Sequence, residues 1–218
     1  MSRSIIGSGD IVISGFPFLR GKTKTIPGER LVAKILCRYH NQLLSPVDQA
    51  AGHFARVLHA YRQRARMRAR GYRKPGGIDM YDIAGLLVER WMLKTLINLI
   101  LDREFAPDTR WRPPELWVRC AFGLAEFPDR CGLYMLADNK WRKASADMAI
   151  GVRPLVTGPN NDVLDGGQFM IADMQFAIAM APLGKVHRPL FRVRAVTDKP
   201  SLELRQVINF HWTASPSG

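Results

Sequence analysis

The spacing of apolar and polar positions changes along this chain, and the changes predict its elements. Ile11, Val12 and Ile13 form a short β-branched run, and Leu31–Leu36 is a second apolar run. The Gly/Lys/Thr/Pro-rich stretch Gly21–Gly28 separates them, so the two read as short strands joined by an exposed basic loop. Val47, Ala51, Phe54, Val57, Leu58, Tyr61 and Ala65 then recur in steps of three and four, which is one apolar stripe of a helix. Ser45 fits the N-cap, Pro46 the first turn, Asp48 the carboxylate of a capping box and Gly71 the stop. Together they predict a helix over residues 46–70. Asp79 and Asp82 repeat the capping pattern and open a predicted second helix over 80–104. Its apolar residues, Ile83 to Leu101, surround the helix toward its end, as in a buried helix. Pro107, Pro113 and Pro114 then break the helical pattern.

From Leu116 the character changes. Leu116–Phe122, Leu133–Ala137, Met148–Val156, Phe169–Ala181, Phe191–Val196 and Leu202–Trp212 read as strands. In the last of them Leu202, Leu204, Ile208, Phe210 and Trp212 alternate with Glu203, Arg205, Asn209 and His211. That is the pattern of a half-exposed antiparallel sheet. Helices first and strands later predict an α+β fold: a short β-hairpin and two long helices, then a mainly antiparallel sheet. Residues 1–77 read as a basic hairpin-plus-helix region. Residues 78–218 read as a buried helix and a β region, packed with the first as one compact unit. The tail Thr213–Gly218 reads as loose.

Composition narrows the class. A hydrophobic content of 47% over 218 residues supports a real core. Cys37, Cys120 and Cys131 are too few and too scattered for a disulfide framework, so a reducing cytoplasm is expected. The start, MSRSIIGSGDIVISGFPF, has no sustained apolar core, so no signal peptide is expected. Glu89, Arg90 and Lys94 interrupt the most apolar helix, which argues against a transmembrane span.

Charge changes the picture most. Residues 1–74 carry fifteen Lys/Arg against three acids, a net of +12, whereas residues 75–218 carry seventeen against sixteen. No acid lies between Asp48 and Asp79. The densest part is Arg62, Arg64, Arg66, Arg68, Arg70, Arg73 and Lys74, with Lys22, Lys24, Arg30 and Arg38 upstream. On a helix the tract splits into two stripes, Arg62/Arg66/Arg70 and Arg64/Arg68. Arginine's planar fork of donors suits phosphate, and Tyr61 and Tyr72 flank the tract where they could stack on bases. Nucleic acid, DNA or RNA, is therefore the expected partner.

The strongest local motif is Cys37-Arg-Tyr-His40-Asn41, followed by Ser45 and Asp48. A Cys-x-x-His pair at a strand-to-helix turn is how half of a zinc site looks; otherwise it is a buried thiol and a hydrogen-bonded histidine. The stretch Asp10–Asp48 resembles the ββα element of HNH-type endonucleases. Ile11–Lys22 is similar to the segment where those enzymes carry a histidine followed by hydrophobic-Pro-x-x-Leu-Gly-Gly. Cys37–Asn41 is similar to their second metal-binding knuckle and the asparagine after it. The resemblance implies a metal site and strand cleavage, and the chain departs from both. No histidine precedes His40, and the general base would fall near Ile11. A four-ligand zinc site would have to recruit Cys120 and Cys131 from far away. The segment Glu89–Leu96 is also similar to bacterial proteins of unknown function that join a CxxHN…SPxD stretch to a C-terminal β region, which implies domain order and no activity.

The remaining candidates have plain structural readings. Ser45 and Asp48 are explained by capping; Glu89 and Arg90 read as a buried polar network or, in preference, as a structural ion pair or residues at the helix surface. Asp162, Asp165 and Asp173 could suggest a cation site, but two of them sit in a Gly/Asn turn that favours aspartate. His53 and His59 lie on different helix faces, and His211 has no evident partner in sequence. The expectation is a non-catalytic nucleic-acid-binding protein without a required cofactor. The alternatives are a metal-dependent HNH-like nuclease with an atypical site around Cys37, His40, Asn41 and Asp48, or a protein binding an acidic partner or an anionic membrane surface. The β region could form a homo-oligomer interface under any of these.

Overall fold

A computed structural model describes residues 10–27, 38–71, 77–102, 110–136, 150–157, 163–182, 190–192, 195–197 and 204–212. The first strand, β1 (Asp10–Ile13), turns through a short 3-10 segment at Pro17–Leu19 into β2 (Lys24–Pro27). Helices α1 (Arg38–Leu43) and α2 (Ser45–Ala69) follow, then β3 (Gly77–Ala84) and α3 (Gly85–Leu101). The short helix α4 (Glu115–Phe122) precedes β4 (Gly132–Leu136), β5 (Ile150–Thr157), β6 (Val163–Ile171) and β7 (Met174–Ala179). The last strands are β8 (Leu190–Arg192), β9 (Ala195–Thr197) and β10 (Leu204–His211).

These elements make an α+β fold with two sheets. A seven-stranded sheet has the order β2-β1-β5-β6-β7-β4-β8, and a three-stranded sheet the order β3-β10-β9. The large sheet is antiparallel except where β1 runs parallel to β5, with Ile11 opposite Ile150. In the small sheet β3 and β10 are parallel along eight residues, from Gly77 opposite Leu204 to Ala84 opposite His211. The N-terminal hairpin is thus an integral edge of a sheet made mainly by the C-terminal half.

The two long helices fill the space between the sheets. Helix α3 is buried over nearly its whole length, as its all-round apolar pattern predicts. Trp91 meets Phe169 with ring centroids 6.2 Å apart. Leu96 sits so close to Gly167 that a Cβ there would lie 2.9 Å from it. Helix α2 presents Val47, Ala51, Phe54, Leu58 and Tyr61 to the core. Phe54 reaches both sheets, edge-on to Phe176 of β7 and to Phe210 of β10, at 5.3 and 5.8 Å.

Several elements differ from the sequence expectation for physical reasons. The second helix starts at Gly85 rather than residue 80. Gly77–Ala84 alternates with period two, Ile83 buried and Met80, Asp82 and Ala84 exposed, and pairs as a strand. Asp79 and Asp82 are strand residues there and not caps. Leu116–Phe122 is helix α4 rather than a strand. Trp117, Cys120 and Ala121 bury one face, and Gly123, at φ 71°, closes the end by donating to Arg119 and Cys120. Phe169–Ala181 contains a hairpin instead of one strand, because Ala172 and Asp173 take φ of 49° and 63° and reverse the chain. The basic stretch before Gly28 contains strand β2 rather than only loop. The predicted strand Leu31–Leu36 and the tail Thr213–Gly218 lie outside the described residues. Among the described residues no helix is long and apolar enough to cross a membrane.

Candidate nucleic-acid interface and an aspartate–histidine cluster

Helix α2 carries the arginine tract on a rigid platform. Its apolar face is fixed by the core, so its opposite face is fixed toward solvent. That face presents Arg56, His59, Gln63, Arg66 and Arg70, all exposed, in steps of three and four. Arg70 stays in the row although it follows the last helical residue, because its amide bonds to the Arg66 and Met67 carbonyls. The row is about 21 Å long at 1.5 Å per residue. Every member can donate a hydrogen bond and none is acidic.

The two predicted arginine stripes are not equivalent to this row. Arg62 lies at 14% side-chain exposure and pairs with Asp173 in the β6–β7 turn, Nη2 to Oδ2 2.5 Å. Arg64 pairs with Asp79 of β3. These two anchor α2 to its neighbours on either flank, and their charge is offset by a carboxylate. Arg66 and Arg70 remain in the row, joined by Arg56 and His59, which charge density alone did not single out. The missed signal was the spacing 56-59-63-66-70, which continues the exposed face upstream of the densest tract.

The other predicted contacts are dispersed. Lys22 is exposed in the β1–β2 connection, Lys24 is half-buried on β2, and Arg38 opens α1. Arg68 lies within α2. Arg30, Arg73, Lys74, Tyr72 and Cys37 lie outside the described residues. Tyr61 is only 8% exposed and faces the core, so it is no stacking platform. His40 is exposed on α1, its ring edge-on to Phe122 at 5.8 Å. Cys120 and Cys131 are buried thiols, and burial pushes both toward the protonated form. Cys120 also donates to the Glu126 carbonyl at 3.3 Å. Among the described residues no three His, Cys, Asp or Glu side chains are placed to hold a metal ion.

Asp48 and Glu89 also have structural work. The carboxylate of Asp48 does not cap the helix start but crosses to α3, where Lys94 donates to both its oxygens at 2.8 and 2.7 Å. Lys94 is 4% exposed, so this is a buried ion pair locking α2 to α3. Glu89, at 1% exposure, accepts the Leu133 amide of β4 at 2.6 Å. Asp165 accepts from the Thr157 hydroxyl across β5 and β6.

A second polar cluster lies beside the row. On the solvated face of the small sheet, His211 of β10 meets Asp82 of β3, Nε2 to Oδ1 2.8 Å. Asn209 donates to the same oxygen at 3.4 Å. From α2, His53 Nε2 reaches the Asp82 carbonyl at 3.1 Å. The His211 hydrogen bond, then that of Asn209, holds the Asp82 carboxyl below its ordinary value. His211 thus has a partner that sequence distance hid, since Asp82 reads as a helix cap until the two parallel strands bring the residues together.

No protein-family profile matches the chain, and no curated protein or solved structure is significantly similar to it.

Proposed function

We propose that this protein binds nucleic acid through the phosphate backbone, along the exposed row of α2. The observation that carries the reading is the row itself: Arg56, His59, Gln63, Arg66 and Arg70 exposed on one face of a core-anchored helix, in a segment without a single acid. Arginine forks bind phosphate oxygens bidentately and do so without reading sequence. Lys22, exposed in the β1–β2 connection, adds to the basic charge of the same half of the chain. A cytoplasmic setting accompanies this reading, and association of two copies through the β region is compatible with it.

The HNH resemblance of Asp10–Asp48 enters as ancestry for the binding region. Its departures, above all Ile11 where a base is needed, favour binding over metal-assisted cutting at that hairpin. The test is fluorescence anisotropy with labelled duplex DNA and single-stranded RNA at low salt. Wild-type protein is expected to bind at least one of them, and the R56A/R66A/R70A variant to bind far more weakly. Absence of binding to both nucleic acids, or equal binding by the variant, would overturn the reading.

A further inference from the structure

We propose that His211, His53 and Asp82 form an acid–base site that cleaves RNA at the end of the α2 row. This rests on the reading of that row as a phosphate-binding surface.

Hydrogen-bond chemistry assigns the proton positions. A backbone carbonyl only accepts, so His53 Nε2, 3.1 Å from the Asp82 carbonyl, is an N–H donor. An ionised carboxylate also only accepts, so His211 Nε2, 2.8 Å from Asp82 Oδ1, is a donor too. In each neutral ring the basic lone pair therefore belongs to Nδ1. Two imidazoles with the same nitrogen available hang on one residue. One of them is oriented by a carboxylate, which is how a histidine base is held in its working tautomer.

The surroundings fit a phosphodiester. Asp82 comes from β3, Asn209 and His211 from β10, and His53 from α2. Arg56 follows His53 by three residues, so it is the next side chain along the same helix face. A nucleic-acid backbone laid along Arg70, Arg66 and Arg56 is led to the two rings. His211 is 59% and Asp82 63% exposed, so a strand has access to them.

The chemistry is a transfer within RNA. The neutral Nδ1 of His211 takes the proton of a ribose 2′-hydroxyl. The freed oxygen attacks the adjacent phosphorus, a P–O2′ bond forms, and the P–O5′ bond breaks. The Nδ1–H of protonated His53 passes its proton to the departing O5′, while its Nε2–H stays on the Asp82 carbonyl. The products are a 2′,3′-cyclic phosphate and a 5′-hydroxyl end, and proton exchange with water resets both rings. DNA lacks the 2′-hydroxyl, so it is bound and left intact.

The experiment incubates the full chain with a 5′-labelled RNA oligonucleotide and its DNA counterpart in EDTA. Gels follow cleavage, mass spectrometry reads the new ends, and anisotropy follows binding. Cleavage of RNA alone to cyclic-phosphate ends is expected, with a bell-shaped pH profile of kcat/KM. H211A and H53A are expected to lose about 100-fold or more in kcat while still binding RNA. D82N, a positioning change, is expected to lower kcat with KM kept. Binding without cleavage, cleavage abolished by EDTA, or cleavage unchanged in H211A and H53A would overturn the acid–base site while the row stands. Failure to bind RNA would overturn the acid–base site, and failure to bind RNA and DNA alike would overturn the row as well.

Discussion

If α2 binds through its row, each row arginine should leave a separate signature in the salt dependence. Each neutralised phosphate contributes about −0.9 to the slope of log Kobs against log salt on B-DNA. Arg56, Arg66 and Arg70 together then account for about −2.7, or about a 40-fold change in affinity between about 50 and 200 mM salt. Removing one of them should make the slope shallower by about 0.9, a change of about 3.5-fold over the same range. The ion-paired arginines should behave differently. Arg62 with Asp173 and Arg64 with Asp79 are near-neutral pairs. The paired changes R62A/D173A and R64A/D79A should therefore leave the slope unchanged within a few tenths. The assay is anisotropy with a short duplex at four or five salt concentrations. If removing an ion pair flattens the slope as much as removing a row arginine, the charge acts as a diffuse patch and the row has no special place.

Three further outcomes follow from the packing. Lys94→Met strands the buried Asp48 carboxylate and should cost about 3–5 kcal/mol, whereas D48L/K94M, which removes both charges, should be near neutral or stabilising; urea melts decide, and equal destabilisation of the two variants contradicts the pairing. Because the Asp82 carboxyl sits below its ordinary 3.8, its proton binds more readily to the unfolded chain. Its contribution to stability is complete above that ordinary value and is lost as pH falls through the lowered one. D82N should flatten this acid limb in thermal melts taken from above pH 3.8 downward, and an unchanged limb would exclude the bond to His211 as its source. Gly166→Ala places a Cβ 1.9 Å from the Ile178 carbonyl at a φ of +153°, so it should cost about 3 kcal/mol or more and break the β6–β7 register, seen as lost amide protection there.

Sequence patterning was most informative where one period ran long enough to be unambiguous. Seven apolar positions in three-four steps place α2 within a residue of its observed Ser45 start, and the all-round apolar run places α3 in the core. It misled where two chemistries share the same residues. Asp79 and Asp82 satisfy a capping pattern, yet they lie on β3, whose partner β10 comes more than a hundred positions later in the chain. Ala172-Asp173 turns the chain without the Asn-Gly signal such turns favour. The same limit applies to the site. Charge density marked α2, but which of its arginines pair with Asp79 and Asp173 is decided by tertiary neighbours. Asp82 and His211 meet only because two distant strands run side by side.

Those long-range pairings also set an order of assembly. Ile11 waits for Ile150 before β1 has its inner neighbour, and Phe54 waits for Phe176 and Phe210 before its face is covered. A chain made from its N-terminus therefore exposes α2 early, with its apolar side bare and Arg62 not yet met by Asp173. The helix is most cationic and most adhesive while it is being synthesised, beside the RNA of the ribosome. Closure must bridge most of the chain, which makes folding slow. During that interval Arg62 lacks its carboxylate, and its charge is offset only when the β6–β7 turn brings Asp173 to it.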